Sequence, residues 1–276
     1  MVGKITCCKT WRESLENVHP ECLRNFLKKK KIPTALEIAI KLGKFDCLYV
    51  FLEFNQLFPY SSTKKFIEAD RTDMLELAYM NGVEMTIYDC REACKKNTLI
   101  CLQYLHNKGC PWDDTVLCKA IKSRKFEHIK YLCENGCPIT ANVMVAAVRS
   151  ARVEYIDYLL NYGGMYESRM TKDLYKGSNL KIIKYLHEHK CPWDEDTFAW
   201  HAAYGKINIV KYLHKNGCPW NEKTCCGAAH GGSLECLKYV HENGCPIGDR
   251  DKYGYMNENV KKYVDLLFEK NEKKII

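Results

Sequence analysis

Four histidines each stand four residues ahead of a cysteine, a spacing that could bring two metal ligands together. The pairs are His106/Cys110, His187/Cys191, His214/Cys218 and His241/Cys245. Structural zinc uses such nitrogen and sulfur ligands, but it needs four of them around one ion. Each pair supplies two ligands, and packed helices stand about 8–10 Å apart, so neighbouring pairs do not converge. From these pairs the sequence predicts no metal site and no cofactor.

The cysteines are numerous, but their placement argues against disulfides. Five of the 17 cysteines begin a repeated Cys-Pro phrase, and their shared position is named here the cysteine slot: Cys110, Cys137, Cys191, Cys218 and Cys245. A disulfide needs Cα atoms within about 7 Å, which is less than the spacing of packed helices. We therefore expect buried thiols and an intracellular, reducing compartment, the cytoplasm rather than the nucleus.

No set of residues predicts catalysis. The chain has no glycine-rich phosphate loop, no nucleophile elbow and no pair of carboxylates that stands out from surface charge. It also has no apolar run near the roughly 20 residues that cross a bilayer, and no apolar stretch of a secretory signal at its start. We expect a protein that is not an enzyme and has no membrane partner.

The elements that position these residues follow from a fixed period. Tyrosines recur every 27 residues in a position named here the tyrosine slot: Tyr104, Tyr131, Tyr158, Tyr185, Tyr212 and Tyr239. A period of this length is typical of stacked-repeat proteins. The same period places Leu266 in the tyrosine slot and Asn271 in the position that Gly217 and Gly244 hold five residues after it. It predicts about nine units over residues 34–276, after a capping segment over residues 1–33.

Each unit is predicted to form two short helices. In one unit, Thr197 can cap the first helix, and Gly205 stands where the chain must reverse in left-handed backbone. Arg124 and Ala151 occupy the Gly205 position in other units and suit that backbone less well. Gly217, followed by Pro219, ends the second helix.

The residues Thr224–Gly244 resemble an ankyrin repeat in their threonine opening, Ala-Ala pair, glycine turn and terminal Asn-Gly. Ankyrin repeats usually run to 33 residues, and the six missing here fall mostly where their β-hairpin would be. The resemblance implies an all-α, ankyrin-like solenoid with reduced or absent β-hairpins. The phrase that includes Cys-Pro-Trp is similar to shortened ankyrin repeats of giant DNA viruses of amoebae.

A partner-binding surface is expected at the ends of the first helices, because the resemblance implies that these helices line a concave face. One position there is basic in four consecutive units and is held by Ala203 and His230 in the next two. With Tyr204, which adjoins Ala203, the predicted partner-binding residues are Lys95, Lys122, Arg149, Lys176, Tyr204 and His230. A basic stripe would prefer an acidic protein surface. The alternative is that these cations complement helix dipoles.

The tryptophans of the Cys-Pro-Trp phrase can have either of two roles. Trp112, Trp193 and Trp220 either pack against neighbouring repeats or form an exposed aromatic ladder for a partner. Packing is favoured because Ile139 and Ile247 replace tryptophan in the same position.

The predicted function is a monomeric scaffold for protein–protein interaction, a viral factor that binds a host protein, as the resemblance implies. A polyanion or nucleic-acid binder is one alternative, given the net charge of +8, although nucleic-acid binding usually shows denser basic clusters. A substrate adaptor for a ubiquitin ligase is another, and residues 1–33 contain no identifiable segment for it.

Overall fold

The computed structural model describes residues 8–29, 34–54, 58–59, 61–172, 174, 179–254 and 256–272. The chain forms two compact units, Met1–Ile129 and Lys130–Ile276. The described residues form helices and contain no β-strand. The prediction of an all-α repeat fold without β-hairpins is therefore confirmed.

The first unit begins with a helical pair and continues with short helices in sequence. These are α1 (Trp11–Glu16), α2 (Pro20–Lys29), α3 (Ala35–Lys41), α4 (Leu48–Leu52), α5 (Ser62–Glu68), α6 (Thr72–Met80), α7 (Ile87–Ala93), α8 (Ile100–Asn107) and α9 (Asp114–Lys122). A 3-10 turn, Phe45–Cys47, precedes α4, and α10 (Phe126–Glu134) begins in this unit and ends in the next.

The second unit continues the same alternation. Its helices are α11 (Ala141–Arg149), α12 (Val153–Asn161), α13 (Ser168–Lys172), α14 (Leu180–Glu188), α15 (Glu195–Ala203), α16 (Ile207–Lys215), α17 (Glu222–His230), α18 (Leu234–Glu242) and α19 (Glu258–Glu272), with a 3-10 turn at Arg250–Lys252. From α3 to α18 the odd-numbered helices are the first helices of the repeats and the even-numbered helices are the second. Fully buried apolar side chains such as Leu117, Phe198 and Leu213 fill the space between them.

The first helices start three residues earlier than expected. In α15 the capping residue is Asp194, whose carboxylate accepts from the backbone N–H of Thr197 at 2.8 Å. The hydroxyl oxygen of Thr197 in turn accepts from the backbone N–H of Asp194 at 3.3 Å, so the two residues form a capping box. The expectation that Thr197 itself caps the helix is wrong, because the aspartate before it takes that role.

The reversal between the two helices adopts left-handed backbone even where glycine is absent. Gly205 has a φ of 66°, and in the equivalent positions Asp70, Arg124 and Ala151 have φ values of 54°, 58° and 58°. The helices on either side leave the chain no other path, so packing overrides the preference of the residue. Ser178, also in this position, lies outside the described residues.

The last segment departs from the 27-residue frame. Leu266 is 54 % exposed, and Asn271 lies within α19. The side chain that faces the preceding repeat is Tyr263, whose hydroxyl is 3.3 Å from Nδ1 of His241. The assignment of Leu266 and Asn271 to the tyrosine and glycine positions is wrong, because a short turn replaces the first helix of this unit and shortens the spacing. The division at residues 33 and 34 stays a prediction.

No described helix combines the length and apolar character that a membrane span requires. The described cysteines are all free thiols.

The left-handed position of Ala151 predicts a stabilising substitution. Ala151→Gly should raise the free energy of unfolding by about 0.5–1 kcal/mol, because glycine avoids the steric cost of positive φ. Ala146→Gly is the matched control in the right-handed backbone of α11 and should lower it by about 1 kcal/mol. Urea denaturation measures both changes, and equal signs would contradict the conformational account.

Candidate functional site

The first helices of the second unit carry a groove between α15 and α17, with a volume of about 850 Å³. Trp200 and Tyr204 lie side by side on α15, their ring centroids 6.2 Å apart. They are 41 % and 45 % exposed. His230, at the end of α17, also lines the groove. The predicted residues Tyr204 and His230 are thus brought together, with Trp200 as a neighbour that the sequence analysis missed.

Glycines form the floor of the groove. Gly227 and Gly231 stand 27 residues after Trp200 and Tyr204 and so occupy the equivalent positions of α17. A Cβ atom on Gly231 would lie 1.8 Å from the carbonyl oxygen of Ala203. One on Gly227 would lie 3.0 Å from that of Ala199. At these two positions the helices therefore pack backbone against backbone, and α17 carries no side chain there.

Polar groups lie on the groove's sides. The backbone N–H of Gly254 donates to Nε2 of His230 at 3.1 Å. In the neutral imidazole this leaves the proton on Nδ1, which can donate to an acceptor. Lys223 and Asp196, which also line the groove, form an ion pair of 3.4 Å. The arrangement suits an apolar group held against two aromatic rings, beside a directed hydrogen-bond donor.

The residues of the predicted basic stripe differ in their surroundings. In the first unit, Lys95 lies just beyond α7 and Lys122 ends α9, both exposed. The Nζ atom of Lys95 lies 2.5 and 2.6 Å from the carboxylate oxygens of Glu92, which compensate its charge. In the second unit, exposed Arg149 ends α11 and is not among the residues that line the groove. Lys176 lies outside the described residues.

The tyrosine slot joins one repeat to the repeat before it. In five of the repeats a polar side chain 24 to 28 residues earlier bonds the hydroxyl: Tyr104 with Glu76 (2.8 Å), Tyr158 with Glu134 (3.0 Å), Tyr185 with Asp157, Tyr212 with His187 (2.9 Å) and Tyr239 with His214 (3.0 Å). Burial, followed by the bond to Glu76, raises the pKa of Tyr104, so that phenol stays protonated. Burial raises the pKa of Tyr131 in α10 as well.

Lysines add a second contact between repeats. Lys184, Lys211 and Lys238 precede the slot tyrosines, and each ammonium lies over a ring of the following repeat. The distances to the ring centroids are 5.7 Å for Tyr212, 5.7 Å for Tyr239 and 5.6 Å for Tyr263. Exposed cation–π pairs of this kind contribute roughly 0.5–1 kcal/mol each.

In four repeats the thiol of the cysteine slot bonds a carbonyl group at the start of the first helix of the same repeat. The thiol of Cys218 donates to the carbonyl of Asp194 at 3.6 Å, and that of Cys245 donates to Asn221 at 3.3 Å. Cys110 and Cys191 make the same bond to Thr86 and Glu167, at 3.1 and 3.6 Å. The acceptor lies at the start of the first helix of the same repeat. Cys137 is also buried.

The tryptophans of the repeated phrase are half-buried and stack within their own repeats. Trp112, Trp193 and Trp220 lie on His106, His187 and His214, with centroid distances of 4.0, 4.1 and 4.4 Å. In the second unit the same histidines bond the next tyrosine, so each ring stack also orients an inter-repeat hydrogen bond. These contacts support the packing reading of the tryptophans over an exposed ladder.

His201 on α15 is a buried histidine near the groove. It is fully buried, and its Nδ1 lies 2.7 Å from the carbonyl oxygen of Thr197. Its Nε2 atom is buried without a hydrogen-bond partner in the described part of the chain. Burial lowers the pKa of His201, because it penalises the charged imidazolium.

Comparison with known proteins adds a limited similarity. No protein-family model matches the chain, and no curated protein matches it. The human ASB11 ankyrin repeat domain is similar over 60 % of this chain and 88 % of its own, with 17 % identity and a TM-score of 0.48. The maize pentatricopeptide repeat protein PPR10 is similar over 99 % of this chain and 49 % of its own, with 13 % identity and a TM-score of 0.42. The chain therefore spans about half the length of PPR10.

The described helices by themselves define the class. Paired short helices, repeated in sequence without strands, make this chain an all-α helical-repeat protein.

The inter-repeat bond of Tyr212 can be tested by removing one oxygen atom. Tyr212→Phe should lower the free energy of unfolding by about 1 kcal/mol, because His187 loses its partner while the ring still packs. Urea denaturation measures the change. Tyr49→Phe is the control on an exposed tyrosine of α4 and should change stability little; equal losses from both variants would contradict the inter-repeat role.

His201 predicts a dependence of stability on pH. The unfolded imidazole titrates near pH 6.5, whereas the folded pKa is lower. Its contribution is therefore complete above about pH 6.5 and is lost as the pH falls toward the folded pKa. His201→Leu should reduce the drop in melting temperature between about pH 7.5 and about pH 5.5. His189→Leu is the control at an exposed position, and a His201→Leu drop equal to that of the unmodified chain would contradict the assignment.

Proposed function

We propose that the chain is a non-enzymatic scaffold that binds a segment of a partner protein in the groove between α15 and α17. The observation that carries the proposal is an exposed pair of aromatic rings, Trp200 and Tyr204, above a floor of Gly227 and Gly231. Aromatic side chains dominate binding energy at protein interfaces. A glycine floor lets the backbone of a bound segment approach closely.

The groove favours a partner segment with one apolar side chain beside a free carbonyl oxygen. The apolar side chain would fill the space between the two rings, and the Nδ1–H group of His230 would donate to the carbonyl. The ion pair of Lys223 with Asp196 lies along the groove, where it can exchange partners with a charged segment.

The basic ends of the first helices remain part of the proposal, each within its own unit. Lys122 lies exposed at the end of α9 in the first unit, and Arg149 lies exposed at the end of α11 in the second. Each would attract an acidic group of a partner. The similarity of the repeated phrase to those of giant viruses supports a viral factor that binds a host protein, and the ubiquitin-ligase adaptor remains an alternative use of the same scaffold.

The groove is tested with peptides selected from a displayed random library against the full chain. Trp200→Ala should weaken the binding of selected peptides roughly thirty-fold, which corresponds to about 2 kcal/mol. Tyr204→Ala should have a similar effect. Tyr49→Ala is the matched control, since Tyr49 is 47 % exposed in the first unit, and it should leave the dissociation constant unchanged.

Two outcomes would overturn the proposal. One is a folded Trp200→Ala, Tyr204→Ala double variant that binds the selected peptides as tightly as the unmodified chain. The other is failure to select peptides together with single-stranded nucleic acid binding that falls steeply with salt, which would indicate a polyanion site. Changing Lys122 and Arg149 to glutamate then distinguishes binding in the groove from binding at these cations. The change should weaken only the ligands that the cations bind.

A further inference from the structure

A cluster of two thiols and an imidazole lies at the start of the first unit. The ligand atoms of Cys8, His19 and Cys22 all lie within 4.8 Å of one another. The Sγ atom of Cys8 is 3.2 Å from Nδ1 of His19. In the part of the chain that the structure describes, these are the residues that form a compact group of three or more histidine, cysteine or carboxylate ligands.

Local structure brings the three side chains together. Thr10 caps α1 by accepting from the backbone N–H of Glu13 at 3.1 Å, which places Cys8 just ahead of the helix. After α1 the chain turns through Val18, whose φ of 53° is unfavourable for a β-branched residue. The N–H of His19 then donates to the carbonyl of Ser14 at 2.8 Å. The turn therefore fixes His19 beside the first turn of α2, where Cys22 lies.

The chemistry of the cluster matches a thiophilic divalent metal. Zinc bonds to cysteine and histidine at about 2.0–2.3 Å in tetrahedral geometry, so its ligand atoms stand roughly 3.3–3.8 Å from one another. The observed separations are 3.2 Å for Cys8 Sγ to His19 Nδ1 and at most 4.8 Å for the others, so small side-chain rotations would reach this range. Cys22 lies in the first turn of α2.

The repeated histidine–cysteine pairs do not share these properties. In those repeats the histidine stacks on tryptophan and bonds a tyrosine, as His214 does with Trp220 and Tyr239. The cysteine donates to a carbonyl, as Cys218 does to Asp194. Both groups are already used in packing. At the N-terminal pair of helices, two sulfur ligands and one nitrogen ligand converge within 4.8 Å of one another.

We propose that Cys8, His19 and Cys22 bind one zinc ion. Three protein ligands leave a fourth position for water, as in other three-ligand zinc sites. The ion would tie the segment ahead of α1 to the beginning of α2 and so stabilise the helical pair at this end of the repeats.

The test uses the reduced full chain prepared without a metal-binding tag. Elemental analysis after dialysis should find one zinc ion per chain. Cobalt(II) added to the metal-free chain should give the strong visible absorption of tetrahedral coordination, with a thiolate-to-metal band. His19→Asn should reduce bound zinc to less than about one tenth. His19 is exposed and asparagine suits the position before a helix, so this variant should fold.

Controls separate metal binding from a structural role. Cys118→Ser, at a half-buried thiol of α9, should keep the full zinc content. A zinc chelator should lower the melting temperature of the unmodified chain but not that of His19→Asn or Cys22→Ser, whereas a mere thiol–imidazole hydrogen bond would be insensitive to chelator. Absence of stoichiometric zinc together with absence of the tetrahedral cobalt spectrum would overturn the proposal. So would zinc that persists in the His19→Asn, Cys22→Ser double variant.

Discussion

The hydroxyl group of the slot tyrosine is the constraint on which the repeat stack depends. The slot tyrosines are half-buried, and a hydrogen bond replaces the hydration that the hydroxyl loses when the ring packs between repeats. In five repeats the bond reaches back to the preceding repeat, as with Glu76 for Tyr104 and His214 for Tyr239. The partner is a carboxylate or an imidazole, and it lies 24 to 28 residues before the tyrosine, within about one helical turn. This explains how Tyr263 can take the same role at a shorter spacing, once its hydroxyl meets His241.

Contacts within a repeat support that inter-repeat bond. Trp220 stacks on His214 and orients the imidazole, and Cys218 ties the end of the second helix to the start of the first. The Cys-Pro-Trp phrase thus acts inside the repeat, and the tyrosine joins one repeat to the next. Because packing uses these groups in every copy, recognition falls to residues that differ between copies. Trp200 and Tyr204 are such residues, partly exposed on α15, and glycines stand at the equivalent positions of α17.

The two proposed sites differ in how visible they are in the sequence. Tyr204 and His230 were identified because they stand in the repeat frame near the end of first helices. Trp200 was missed, although the aromatic-to-glycine change at Trp200/Gly227 and Tyr204/Gly231 was a signal that the frame alone could have shown. The cluster of Cys8, His19 and Cys22 lies ahead of the repeats and has no counterpart among the repeated His-x-x-x-Cys pairs. The basic stripe was drawn as one surface, yet Lys95 is compensated by a glutamate of its own helix.

The sequence by itself determined the class of fold and most helix positions, because a 27-residue period, apolar helix faces and glycine-rich turns act locally and recur in each copy. It also indicated free thiols, since the spacing of helices is general. Tertiary structure decided the rest. Left-handed backbone at Arg124 and Ala151 follows from the helices that flank them, against their own preference. The groove and the thiol–imidazole cluster depend on distances of a few ångströms between side chains on different helices, and no local pattern sets such distances.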